Sequence, residues 1–409
     1  MKLLLASLLF ICTNNSFAAG WIQQADFGGT ARHRTTMLSL GNKIYAGLGH
    51  YNGAGPNILF EDWWEYDPAT NAWTQKADYA GGICYHAAGF SVNNVGYVGT
   101  GRISPSGNTM VKDFFKYEPA TNTWTQLTDF PGVGRRGAIG FSIGQYGYMG
   151  TGSGPADMYR YDPANDTWIQ IADVPGGNRM SAVGFSLNGR GYVGTGFLSN
   201  LGWSSTDFHE YNPATNSWTQ IDDVGIDPLE GPIPRMESSG FALDGKGYVL
   251  TGVNISSGDN YKDMWELDPT TGSWTRIEDF PGTARRYLSS VTHNGYAYVG
   301  LGTNGTNFKD FWKYDKTLAL LQQNIESIQV NVFPNPSIDY VQIEMNGLPE
   351  NAVEKMTVKM YTLLGKSIEE KSMTQNQVSF VTSGLPSGLY LYSINYDGIV
   401  LRSGKIQVQ

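Results

Sequence analysis

Apolar and polar positions alternate in short runs along the first three-quarters of the chain, and the runs recur in a fixed order. One run ends in a tyrosine four residues before a glycine: YAGLG at Tyr45, YVGTG at Tyr97, YMGTG at Tyr148, YVGTG at Tyr192, YVLTG at Tyr248 and YVGLG at Tyr298. An aspartate backed by aromatic or methionine positions follows, at Asp62, Asp113, Asp157, Asp207, Asp263 and Asp310. That run closes on Tyr66, Tyr117, Tyr161, Tyr211 and Tyr314, with Leu267 in the fifth copy. A polar turn then leads to Trp73, Trp124, Trp168, Trp218 or Trp274. Alternation with period two, punctuated by turn residues, predicts strands. In YDPATNAW, Asp67 can accept from amides ahead of it and Pro68 presets φ for the second turn position. Asn71 falls where the chain needs a left-handed residue. Its equivalents are Asn122, Asp166, Asn216 and Gly272, all types that tolerate that geometry. Two strands joined by this turn, with the two before them, make four antiparallel strands (a to d) per period of 44 to 56 residues.

A four-stranded sheet repeated at that spacing, with aromatic and glycine marks in each copy, is a propeller blade. The sixth copy stops at FWKYDK without its tryptophan, whereas the phrase WIQQADFGGTAR, beginning at Trp21, has no strands a to c before it. Trp21 therefore supplies the missing strand d. The expectation is an all-β fold: a six-bladed propeller closed by an N-terminal strand, which removes two raw sheet edges.

These residues resemble the kelch family, whose pattern has an Arg leading into strand a, glycines ending strand b, then Asp, Tyr-Asp-Pro and Trp. The resemblance covers roughly residues 20–317. Two departures are the split glycine pair, as in Gly99-Thr100-Gly101, and Asp315-Lys316 where Asp-Pro is expected. After a connector at 318–328, residues 329–409 again read as alternating strands between Pro, Gly, Asn and Ser turns, a small β-sandwich by pattern. The wording FPNPS from Phe333, MYTLLGKSI from Met360, LPSGLYLYSI from Leu385 and the closing strand at Lys405 resembles the type A C-terminal sorting domain of type IX secretion. That resemblance implies a signal peptide for the inner membrane, then export through the outer membrane directed by the tail. The type IX machinery would be the tail's partner, and the protein would end released or on the cell surface.

Composition adds three constraints. Residues 1–19 carry Lys2, an apolar core from Leu3 to Cys12 and a small-residue cleavage site, which reads as a secretory signal peptide. The core is too short for a membrane span, and no later segment is apolar enough for one. Cleavage leaves Cys84 as the one cysteine, so no internal disulfide is expected. The formal net charge of −9 argues against nucleic acid, whose phosphates would be repelled.

Antiparallel order places the b–c and d–a loops on one face. The b–c loops vary from SGPA to HYNGAGPNILFE, and variable loops on a rigid scaffold are where function usually sits. The same face carries Arg32, Arg135, Arg179, Arg235 and Arg285, with Cys84 at the sixth equivalent position. Strand a is innermost, so these residues should surround the channel mouth and could hold a carboxylate or phosphate bidentately. In the kelch resemblance the same Arg is structural, bonding loop carbonyls; both uses stay open. Arg136 and Arg286, outside the common column, are the stronger ligand candidates, with His86, Tyr51, Trp203 and Tyr261 on or near the face.

The five histidines form no pair at metal-ligand spacing, no metal site or cofactor is expected, and there is no nucleophile elbow or phosphate loop. The leading expectation is thus a binding module for a glycan or protein on the b–c/d–a face. The alternative is a sugar-active enzyme such as a sialic-acid mutarotase, with arginines holding a carboxylate while Glu237 or His86 moves protons.

Overall fold

The computed structural model describes residues 19–409, apart from residues 54, 106, 229, 230 and 350. The expected signal peptide lies almost wholly outside the described residues. The chain divides into two compact units, Ile22–Tyr314 and Asp315–Gln409, the latter grouped with the first residues up to Trp21.

The first unit is built from six four-stranded antiparallel sheets. In the first blade the order is Thr36–Leu40, Lys43–Gly47, Trp63–Asp67 and Ala72–Gln75. The sixth sheet runs Ser289–His293, Tyr296–Gly300, Phe311–Tyr314 and then Trp21–Gln24, so the N-terminal strand completes the last blade as expected. Burial is greatest in the second strand of each blade and least in the fourth. Second strands such as Val95–Gly99 are almost wholly buried, whereas fourth strands such as Thr123–Gln126 are largely exposed. The core is distributed in packets between blades: Leu38, Tyr45 and Trp63 of the first blade meet Tyr79, Val98 and Tyr117 of the second.

The turn residues act twice. Asn71, Asn122, Asp166 and Asn216 take φ of 49–54° as expected. Each also accepts a hydrogen bond from the tyrosine five residues earlier, at 2.7–2.9 Å. Asn122 further accepts from the Ala77 amide of the preceding blade (2.9 Å), while Trp124 Nε1 donates to the Ala77 carbonyl (3.1 Å). One peptide residue is thus gripped at both its polar groups. In the fifth blade Leu267 and Gly272 replace the tyrosine and asparagine together. The backbone carbonyl of Gly272 accepts from the Asp222 amide instead (3.1 Å), and Trp274 still donates to the Asp222 carbonyl.

A second set of bonds closes the ring. The amide of the last glycine in each split pair donates to the next blade: Gly49 to Cys84, Gly101 to Arg135, Gly152 to Arg179, Gly196 to Arg235, Gly252 to Arg285 and Gly302 to Arg32, at 2.7–3.0 Å. These glycines have φ of 91–108°, and a Cβ on Gly49 would come within 2.8 Å of the His33 carbonyl, so the position requires glycine.

In the second unit Asp315 caps the helix Lys316–Gln323 by accepting from the Leu318 amide (3.1 Å). A sandwich follows. One sheet holds Gln329–Phe333, Tyr340–Asn346 and Gln377–Val381; the other holds Ser367–Ser372, Met356–Thr362, Gly388–Tyr396 and Ile399–Val408. Val341, Ile343, Val358, Met360, Phe380 and Ile394 are each 0% exposed and form its core. Among the described residues no helix is long and apolar enough to cross a membrane.

Candidate functional site

The five repeated arginines do not line the mouth. Arg32, Arg135, Arg179, Arg235 and Arg285 are 0–1% exposed. Each forms a two-pronged ion pair within its own blade, to Asp62, Asp157, Asp207, Asp263 and Asp310 respectively. Each also donates from Nη1 to the carbonyl sixteen residues ahead, at 2.9–3.3 Å. The guanidinium satisfies a carboxylate and a loop carbonyl at once, which leaves no fork for an anionic ligand. In the second blade Cys84 takes the arginine's place, and the residue five positions earlier is Tyr79, where four of the arginine blades have Phe27, Phe130, Val174 or Phe280. The Tyr79 hydroxyl and the Cys84 thiol both lie within electrostatic reach of Asp113. Burial pushes the Cys84 thiol up to about 12, so it is held as an inert thiol.

The site lies two residues further along. Arg34, His86, Gly137, Ser181, Glu237 and Tyr287 occupy one equivalent position in the six blades, and all six have φ of 55–64°. Their amides link blade to blade: His86 to Arg34, Gly137 to His86, Ser181 to Gly137, Glu237 to Ser181 and Tyr287 to Glu237, at 2.7–3.1 Å. Left-handed backbone is costly for large side chains, and such positions cluster at functional sites. Here it turns the side chains toward the axis, where non-adjacent blades meet. His86 of the second blade lies edge-on to Tyr287 of the sixth (5.1 Å between rings) and 3.4 Å from the Ser181 hydroxyl of the fourth. Below the ring runs a channel of about 210 Å³, lined by the innermost strand of every blade.

Glu237 is the centre of this cluster and only 8% exposed. The Tyr287 hydroxyl donates to its Oε1, and Arg286 Nε lies 3.2 Å from its Oε2. Arg34 Nη2 donates to the Tyr287 hydroxyl (2.7 Å), and its guanidinium sits 3.9 Å from the Tyr287 ring centre. Burial raises the Glu237 carboxyl above its ordinary value, while Tyr287, Arg34, Arg286 and Arg136 pull it back down. His33 stacks on Tyr287, with His50 beside it. Burial and the Arg34 charge lower His33 to about 3 and His50 to about 4; His86, buried beside Arg34 and Arg136, is lowered well below the usual imidazole range. The imidazoles are therefore neutral at pH 7. The arrangement offers a buried carboxyl able to give and take a proton, amid cations suited to a carboxylate. Among the described residues no three His, Cys, Asp or Glu side chains converge as a metal-binding set.

Of the residues singled out in the sequence, Arg136, Arg286, His86 and Glu237 come together here. Trp203 does not: it is 52% exposed on the outer hairpin Phe197–Leu198/Trp203–Ser204. Tyr261 packs against the Arg235 guanidinium. Tyr51 sits on the hairpin His50–Tyr51/Ile58–Leu59. Arg34, His33, His50 and Tyr287 were missed. Arg34 and Tyr287 stand two residues after the arginine column, a place that identity alone does not mark.

The ring of sheets with side chains converging on its axis defines a six-bladed β-propeller with a candidate site at the channel mouth. Residues 331–409 match the family described as Secretion system C-terminal sorting domain, a segment that directs export by type IX secretion to the cell surface or beyond. An N-acetylneuraminate epimerase of Pasteurella multocida (strain Pm70) is 34% identical over 151 residues, which cover 29% of this chain and 40% of that relative. The chain thus spans less than half the length of the curated relative it matches. The solved structure of YjhT superposes with a TM-score of 0.57 at 15% identity, over 71% of this chain and 95% of that one; this likeness concerns the fold alone.

Proposed function

We propose that the propeller is an enzyme acting on a carboxylated sugar, interconverting its anomers in the manner that the name of the Pasteurella relative suggests. The observation that carries this reading is Glu237: a buried carboxyl of raised proton affinity, held by Tyr287 and Arg286 on the axis. Arg136 holds the sugar's carboxylate, with Arg286 beside it on Glu237. The Glu237 carboxylate removes the proton of the anomeric hydroxyl as the bond from the anomeric carbon to the ring oxygen breaks. That leaves a carbonyl and an alkoxide, whose charge the arginines stabilise. Protonated Glu237 then returns the proton to the alkoxide. Rotation about the carbonyl carbon and the reverse steps give the other anomer, with Glu237 restored. A carboxyl whose proton affinity is raised serves both halves better than an ordinary one.

The test is exchange NMR between the anomers of N-acetylneuraminate with wild type and Glu237→Gln. The expected outcome is acceleration by wild type and a fall of at least about 100-fold in the variant, in the range typical of losing a general base, with a thermal shift on ligand addition retained. Equal rates in the two proteins would overturn the role of Glu237. Binding without acceleration by wild type would return the propeller to a carbohydrate-binding role, for which the exposed Trp203 speaks.

A further inference from the structure

The wall around the mouth is uneven. The third blade's b–c loop is the short SGPA stretch, Ser153–Ala156, where other blades carry long loops or hairpins. The space it leaves is a bay of about 480 Å³, lined by Arg136, Ser153, Gly154, Asn178, Met180 and Phe197 among others. Arg136 and Met180 connect it to the mouth: a Cβ on Gly137 would lie 3.0 Å from both Met180 and His86. Arg136 differs from the other arginines here. The five repeated ones are paired with aspartates, Arg286 with Glu237, and Arg34 with Tyr287. Arg136 makes no ion pair among the described residues, and its buried Nε has no acceptor. A guanidinium with no carboxylate partner beside open space can take an anionic oxygen.

We propose that the bay is an extension subsite, so that the substrate is an oligosaccharide or glycoconjugate fragment whose reducing-end residue is the carboxylated sugar. This rests on the reading of the mouth given above. Anomer exchange needs a free anomeric centre, which therefore lies at Glu237, with the carboxylate on Arg136. Any further sugar must be attached through another hydroxyl, and the gap over the third blade is the route by which it leaves the mouth. Met180 and Phe197 offer an apolar floor to a pyranose face; Ser153, Asn178 and Ser199 offer polar contacts to its hydroxyls. The reaction that supplies such a substrate is a glycosidic cleavage leaving the acidic residue at the new reducing end, which first appears as one anomer.

The experiment compares two probes on the full chain by titration: N-acetylneuraminate, and the same acid carrying a neutral galactosyl residue on a ring or side-chain hydroxyl with its anomeric centre free. The expected result is at least tenfold tighter binding of the disaccharide. Ser199→Trp, at an exposed position on the bay's edge, should collapse that ratio to about one. Equal affinities in wild type would overturn the extension subsite and leave the mouth reading intact. A ratio unchanged by Ser199→Trp would also overturn it. Binding of N-acetylneuraminate alone would overturn the extension subsite only, and failure of both probes to bind would overturn both readings.

Discussion

The exchange of arginine for cysteine in the second blade can be transplanted. Arg135→Cys in the third blade removes a guanidinium that is 0% exposed and leaves Asp157, 8% exposed, with the Thr151 carbonyl also deprived of its donor. Breaking one side of a buried pair costs about 3–5 kcal/mol. Unfolding entropy of about 2.1 cal/mol/K per residue gives about 0.6 kcal/mol/K for a unit of this size, so Tm should fall by about 5–8 °C. Phe130→Tyr alone should also destabilise, by about 1–3 kcal/mol, because Phe130 is 0% exposed and Arg135 already sits against its ring at 4.8 Å. Combined, the two reproduce the Tyr79–Cys84 arrangement. A phenol there regains one neutral hydrogen bond, as the Tyr79 hydroxyl does to the Val98 carbonyl, and should recover about 0.5–1.5 kcal/mol. All 11 tryptophans lie between Trp21 and Trp312, so tryptophan fluorescence follows the propeller in the full chain without a signal from the tail. A coupling energy under about 0.5 kcal/mol in the double-mutant cycle would refute the idea that Tyr79 stands in for the guanidinium. A loss under about 1 kcal/mol for Arg135→Cys would refute the structural role of the pair.

Two further outcomes follow from the charges and the tail. His33 and His50 are held neutral in the fold, at about 3 and about 4, so as pH falls below about 6.5 the unfolded chain binds protons that the fold does not. Stability should drop by about 2 kcal/mol per histidine by pH 5. Glu237 works in the opposite direction, because a raised carboxyl favours the fold at low pH and loses that contribution as pH rises through its folded value. The drop in urea midpoint from pH 7 to pH 5 should be smaller in His33→Asn/His50→Asn than in wild type, with buried His86 accounting for part of the remainder; an equal drop in both would refute the assignment. Removing residues 331–409 should keep the chain inside the outer membrane, read by cell fractionation; normal appearance in the medium would contradict the tail's sorting role.

The repeat, the blade count and closure by Trp21–Gln24 were legible because each recurs with the same residue types. The turn geometry was legible because only a few residue types accept φ near 50°. The arginines were visible as a column, and bonding to loop carbonyls was one of the two uses left open, but their aspartate partners were not foreseen because they lie 22–30 residues away. The signal was nevertheless present: the six repeated aspartates form a second column of opposite charge. The mouth was least legible. Arg34, His86, Gly137, Ser181, Glu237 and Tyr287 share no chemistry, and what they share is a backbone conformation. Arg34 and Tyr287 are 253 residues apart and meet only because the ring closes.

That shared conformation separates two demands that most sites combine. The amide links between the inner positions use backbone atoms alone, so they do not depend on which side chain each position carries, beyond the cost of its left-handed backbone. Six independently variable slots, each aimed at one point, amount to a short alphabet written around an axis. A lineage can change one letter, and with it the ligand, without disturbing the ring that holds the others in place.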